Sequence, residues 1–171
     1  METLRDISIR DYNIALREYN LKCKEDHVLN NCAYHLQQSL EKYLKYKLEL
    51  LGVDVPKKHN ISILINLIKS NGSEISNSEQ LNNFIYLMAD TFTIWEAGTR
   101  YLKNFRVDED KVKLAIEALP KLLELGESYE VDFYRKRVQS LANYGIAPEH
   151  ISENLEIPIE LVNKILGVNI R

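Results

Sequence analysis

Between Ala33 and Leu51 the chain reads AYHLQQSLEKYLKYKLELL, with apolar residues at Ala33, Leu36, Leu40, Leu44, Leu48 and Leu51. That spacing is the 3.6-residue period of an amphipathic helix, so the stretch predicts about five turns with one face in a core. Asn30-Asn31 offers an N-cap, and Gly52 stands where a helix end favours glycine. Pro56 lacks an N–H and restricts its predecessor, so the helix cannot run on. A face of this length needs partner helices to cover it, and the rest of the chain supplies them.

Ahead of it, Tyr12, Ala15, Leu16, Tyr19 and Cys23 keep the same period, and Asp6 and Ser8 are the available caps. This predicts a first helix reaching about Asp26, antiparallel to the second, with Arg10, Arg17, Glu18, Lys22 and Lys24 on its solvated face. Asn60 caps a short third helix with Ile61, Leu64, Ile65 and Ile68 on its apolar side. After the polar loop SNGSEISNS, a fourth helix is expected from about Ser78 to Ala97, built on Leu81, Phe84, Ile85, Met88, Phe92 and Trp95 and stopped by Gly98. Asp108 caps a fifth, carrying Val112, Ala115, Ile116 and Leu119. Pro120 should kink that helix, with the pattern resuming at Leu122, tolerating Gly126 and fading after Leu141.

No period-2 alternation is long enough for a strand. The expected fold is all-α: an antiparallel four- to five-helix up-and-down bundle over residues 6–142, followed by a small C-terminal helical hairpin over 145–171. In that hairpin Pro148 opens one short helix and Ile157-Pro158 leads into a second, ended by Gly167, a helix-turn-helix-like pattern.

Composition narrows the function classes. The 171 residues carry 22 Lys plus Arg against 25 Asp plus Glu, a net charge of −3, so no global field draws the chain to nucleic acid or anionic membrane. Cys23 and Cys32, with no Cys/His cluster at metal-ligand spacing, read as reduced thiols, and no metal or cofactor is expected. METLRDISIRD is charged and lacks an apolar signal core, and no run approaches a membrane span. A cytoplasmic location is therefore expected.

The polar edge of the second helix holds the candidate chemistry. Gln37, Glu41 and Lys45 fall at i, i+4 and i+8 beside the leucine face, with Gln38 and Lys42 flanking them and Tyr34, His35 and Tyr43 in the same turns. Such an edge is either a solvated helix flank or the lining of an interhelical groove. Two cationic loops follow: Lys57-Lys58-His59, and Arg100, Lys103 and Arg106 after the fourth helix. If the loops meet, they form an anion site.

The run YHLQQSLEKYLKYKLELLG, followed by His59-Asn60-Ile61, resembles the HEPN domain, a helical domain found beside nucleotidyltransferases in prokaryotes and eukaryotes. The matching residues are His35, Gln37, Gln38, Glu41, Lys42, Leu44, Lys45 and His59. Thr99-Arg100-Tyr101 is similar to a second family element, Arg-Tyr-Pro, with Leu102 in the proline position. The resemblance implies a helical bundle, usually a homodimer. Catalytic members are metal-independent ribonucleases using an Arg followed by four to six residues and a His. No such spacing exists here: Arg100 is followed by Tyr-Leu-Lys-Asn-Phe-Arg-Val, and His150 lies thirteen residues past Arg137.

The resemblance therefore implies a non-catalytic binding module, with no catalytic residue assigned. It would bind a nucleotide or RNA, or pair with a minimal nucleotidyltransferase, in a toxin-antitoxin-like or defence system. The ligand residues it points to are Gln37, Gln38, Glu41, Lys45, His59, Arg100, Tyr101, Lys103 and Arg106. Two alternatives stay open. One is a ribonuclease with a displaced base, His35 or His59 acting with Arg100. The other is a DNA-associated regulator using the C-terminal hairpin, but Glu149, Glu153, Glu156 and Glu160 outweigh Lys164 and Arg171 there, so duplex DNA is not the expected partner.

Overall fold

The computed structural model describes residues 2–21, 25–126 and 129–168. Among these the chain forms helices and no strands: α1 (Leu4–Tyr19), α2 (Asp26–Leu50), α3 (Ile61–Ser70), α4 (Glu79–Tyr101), α5 (Glu109–Leu122), α6 (Tyr129–Asn143), α7 (Pro148–Leu155) and α8 (Ile159–Leu166). Cys23, Lys22, Lys24 and Arg171, placed by pattern above, lie outside the described residues.

α2 is the hub, packing against α1, α3, α4 and α5. Its face of Ala33, Leu36, Leu40, Leu44 and Leu48 is sealed in one core with Tyr12, Leu16, Leu64, Ile68, Phe92, Trp95, Val112 and Leu119. Leu51, the last member of the expected stripe, is instead the exposed C-cap. Antiparallel pairing of α1 and α2 is fixed by three contacts whose numbers run in opposite directions. Ser8 Oγ donates to Ser39 O at 2.7 Å, His35 Nδ1 lies 3.1 Å from Asp11 Oδ1, and Cys32 Sγ donates to Ala15 O at 3.3 Å.

Several element boundaries differ from expectation, each for a local reason. α1 starts earlier, because Thr3 and Asp6 form a reciprocal capping box: Asp6 N donates to Thr3 Oγ1 at 3.1 Å and Thr3 N to Asp6 Oδ2 at 2.9 Å. Ser8 is no cap; its hydroxyl is buried on α2. α1 ends at Tyr19, and α2 begins at Asp26, ahead of Asn30-Asn31. Asn30 is freed from capping and holds another segment, donating to Phe105 O at 2.7 Å and accepting from Val107 N at 3.2 Å.

α4 does not stop at Gly98. It runs to Tyr101, and Gly98 is buried beneath Phe105, where an added Cβ would sit 2.5 Å from the ring. Glycine serves close approach there, not termination. Pro120 lies in the last turn of α5, and the chain breaks where a kinked continuation was expected. Glu124 (φ 58°) and Gly126 (φ 86°) both take left-handed backbone, and Leu125 N closes the turn on Pro120 O at 2.9 Å.

α6 starts a fresh direction. Its first turns lean on α1: Tyr129 Oη donates to Asn13 Oδ1 at 2.8 Å, Asn20 Nδ2 donates to Glu130 Oε1 at 2.8 Å, and Arg17 lies 5.8 Å over the Phe133 ring. Its later turns carry α7 and α8. The hairpin turns at Glu156, which is left-handed (φ 54°), and Ser152 Oγ donates across it to Ile157 O at 2.7 Å. Among the described residues no helix is long and apolar enough to cross a membrane.

Candidate functional site

The edge of α2 that the sequence singled out divides into two unlike halves. In the C-terminal half, Gln37, Glu41 and Lys45 are buried and bonded to one another. Glu41 is fully buried, yet both its oxygens are occupied. Lys45 Nζ donates to Oε1 at 2.8 Å, Gln37 Nε2 donates to Oε2 at 2.9 Å, and His59 Nδ1 lies 3.1 Å from each. A carboxylate only accepts, so this contact requires the proton on His59 Nδ1 and leaves Nε2 for another partner. Gln38 Nε2 donates to Gln37 Oε1 at 2.6 Å, and Lys42 Nζ donates to Gln38 Oε1 at 3.3 Å. Burial alone would raise the Glu41 pKa. The hydrogen bonds from Lys45 and Gln37, with the charges of Lys42 and Lys45, outweigh it and hold the carboxyl below its ordinary range.

The N-terminal half is open. His27, Asn30, Asn31 and Tyr34 of α2, with Thr99 and Arg100 of α4, line a cleft of about 360 Å³. The Arg100 guanidinium lies 5.7 Å over the Tyr34 ring and 5.2 Å over that of Tyr101, and Glu96 one turn back pairs with it at 3.1 Å. A second cleft of about 260 Å³ shares His27 and Asn30 and adds Asp26, Lys103, Asn104, Phe105 and Arg106. Arg106 pairs with Asp26 at 2.9 Å, whereas Lys103 has no ion-pair partner among the described residues. The two Asn30 bonds hold this 102–107 segment against α2, and the Gly98–Phe105 contact holds it against α4.

The two cationic loops do not meet. His59 reaches Glu41 and Arg106 reaches Asp26, fifteen residues apart on α2, or about 22 Å along its axis. The cations are strung along one helix edge, with Arg100 between them. Sequence reasoning missed His27, Asn30, Asn31 and Tyr34 as lining. The missed signal was their own spacing, since 27, 30/31 and 34 continue the 37/38, 41 and 45 stripe by one helical period. A cleft of about 390 Å³ at the α5–α6 junction, walled by Tyr12, Tyr129, Glu117 and Glu130 among others, contains none of the residues singled out.

The fold is thus a helical bundle wound around one long helix with a polar, partly cleft edge. The model of the HEPN domain family matches residues 1–129, that is 129 of 171 positions, and the chain belongs to that family. The match ends where α6 begins, so most of α6 and all of α7 and α8 lie beyond it. A search of curated proteins and a search of solved structures each returned no match.

Proposed function

We propose that the chain is a cytoplasmic, non-catalytic HEPN binding module that takes a nucleotide or a segment of RNA in the Tyr34–Arg100 cleft. The observation that carries this is the cleft's makeup. A guanidinium lies over a phenol ring, with amides, a hydroxyl and an imidazole around it and Glu96 pairing with it from one turn back. An aromatic face suits a base, amides suit base edges, and Arg100 with nearby Lys103 suits phosphate. Thermal-shift titration with ATP and anisotropy with labelled RNA oligomers test it. Binding should fall about tenfold to a hundredfold in Arg100→Ala, the range for a charge-assisted hydrogen bond. No melting shift at millimolar nucleotide together with no RNA retention overturns it.

One observation supports a ribonuclease as second reading: His27 lines the same cleft as Arg100, supplying in space the base that the sequence lacks at family spacing. Metal-free cleavage of labelled RNA, lost in both His27→Ala and Arg100→Ala, is its test. Intact RNA after incubation with wild type removes it.

The assembly we propose is a homodimer through α4. Its outward residues Leu87, Asp90, Ile94, Ala97 and Tyr101 alternate by four and three, the spacing of a two-helix seam, and Leu87 is 84% exposed. An antiparallel second copy centred on Ile94 sets Leu87 against Tyr101 and keeps the two Asp90 carboxylates apart. Sedimentation should give a dimer for wild type and a monomer for Ile94→Asp; a monomeric wild type removes the assembly. A nucleotidyltransferase partner, encoded with this chain in a toxin-antitoxin-like or defence pair, is compatible with the same module, and co-purification tests it.

A further inference from the structure

The Glu41 cluster is out of charge balance. Lys45 Nζ at 2.8 Å, Lys42 Nζ at 3.6 Å and His59 Nδ1 at 3.1 Å all converge on the single oxygen Glu41 Oε1. Among the described residues neither lysine has a second carboxylate within ion-pair distance. Two ammonium groups thus share one carboxylate, leaving at least one surplus positive charge. A surplus ammonium group that solvent can reach is open to an anion from outside the chain. The surplus lies at the rim. Lys45 is sunk beside Glu41, whereas the Lys42 side chain is 23% exposed and that of His59 is 59% exposed. Lys57 and Lys58 directly precede His59 and are exposed as well.

The rim lies in line with the open cleft. Tyr34, Gln38 and Lys42 follow at i, i+4 and i+8, one ridge on one edge of α2. Eight residues of helix span about 12 Å. At about 3.4 Å per stacked nucleotide, that is the length of three to four nucleotides. Between the two ends, Gln38 is fixed by bonds to both Gln37 and Lys42, so the ridge is braced. At the start of α3, Asn60 already takes Ile63 N and Thr93 takes Ile61 N.

We propose that Lys42 and His59, held in place by buried Glu41, form a second phosphate subsite, so that the ligand lying along α2 is a single-stranded oligonucleotide of RNA and not a mononucleotide. This rests on the nucleotide-binding reading of the Tyr34–Arg100 cleft. Glu41 is a positioning residue: it holds the proton on His59 Nδ1 and anchors the lysines, so that at this subsite Lys42 donates to the phosphate and His59 donates from Nε2 as the imidazolium.

The test is a length series. Fluorescein-labelled r(A)2, r(A)4 and r(A)8 are titrated by anisotropy, with AMP as unlabelled competitor. The full chain is used as wild type, Lys42→Gln, His59→Ala and Arg100→Ala, with melting curves confirming that each variant folds. The expected result is at least tenfold tighter binding of r(A)4 than of r(A)2 or AMP. That gain should vanish in Lys42→Gln and in His59→Ala, whereas Arg100→Ala weakens ligands of every length. The slope of log affinity against log salt for r(A)4 should shrink by about 0.7 in Lys42→Gln, one phosphate contact on a single strand. If AMP and r(A)4 bind equally and both depend on Arg100, the subsite is overturned and the cleft stands. If neither AMP nor any oligomer binds, both are overturned.

Discussion

Two halves of one helix edge, built from the same residue types, behave in opposite ways. Around Glu41 the amide, the ammonium groups and the imidazole gather on one buried carboxylate, with Lys42 and His59 reaching solvent at the rim. Around Tyr34 and Arg100 similar groups stand open, and Lys103 has no ion-pair partner among the described residues. The difference is what lies across the edge. Opposite Glu41 the chain from α2 to α3 returns directly and His59 closes over it. Opposite Tyr34 the chain leaves α4 through a turn at 103–104, tied to α2 by the bonds of Phe105 and Val107 to Asn30 and by the Arg106–Asp26 pair. A polar stripe becomes a braced cluster, open only at its rim, where a neighbour completes it and an open cleft where none does.

The contrast is broken most forcefully at Glu41. Glu41→Ala leaves Lys45 buried without its partner and should cost about 3–5 kcal/mol in urea unfolding. Arg100→Ala should shift stability by no more than about 0.5 kcal/mol, because its head group is partly exposed. If the two variants unfold alike, the division of the edge is wrong. Next comes Gly98→Ala. The new Cβ pushes the Phe105 ring, an overpacking cost of about 1–3 kcal/mol, set against a smaller gain in helix propensity. It should loosen the segment bearing Lys103 and Arg106, seen as faster amide exchange over residues 102–107. Tyr34→Ala should weaken RNA binding by about 1–3 kcal/mol, the range for one base–aromatic stack, with little change in melting temperature.

A smaller effect follows from pH. The folded Glu41 pKa lies below its ordinary value of 4.5, so near that pH the unfolded chain binds more protons. The stability this group contributes is therefore complete above pH 4.5 and is lost as pH falls through the lower folded value. Wild type should lose stability through that acid window faster than Glu41→Gln, measured by urea midpoints from pH 6 downward. The smallest effect is expected at Tyr134, whose buried hydroxyl has no partner in hydrogen-bonding geometry among the described residues and whose pKa burial pushes up to about 12 against the opposing pull of Asn20. Tyr134→Phe should be neutral or stabilising by about 1 kcal/mol, since nothing is left unpaired.

The bundle was legible because its signal is periodic. Leu36, Leu40, Leu44 and Leu48 state a buried face by spacing alone, and Asn60 and Asp108 cap the helices assigned to them. The hairpin was legible through Pro148 and Gly167. What misled were residues with two uses. Gly98 permits contact with Phe105 as readily as it stops a helix, and Asn30 pins a loop as readily as it caps. Pattern could not separate these, because the deciding partner is more than six residues away in each case. The site was half legible for the same reason. Glu41 and Lys45 could be paired from an i, i+4 rule, but His59 closing on Glu41, and the cleft joining Tyr34 to Arg100, are tertiary facts.

Amide hydrogen exchange with and without r(A)8 tests the central claim most directly, because it reports where on the chain the ligand sits. The account predicts new protection over residues 26–34 and 99–106, extending to 42 and 57–59, with α7 and α8 unchanged. Protection confined to α7 and α8, or none at saturating RNA, contradicts it.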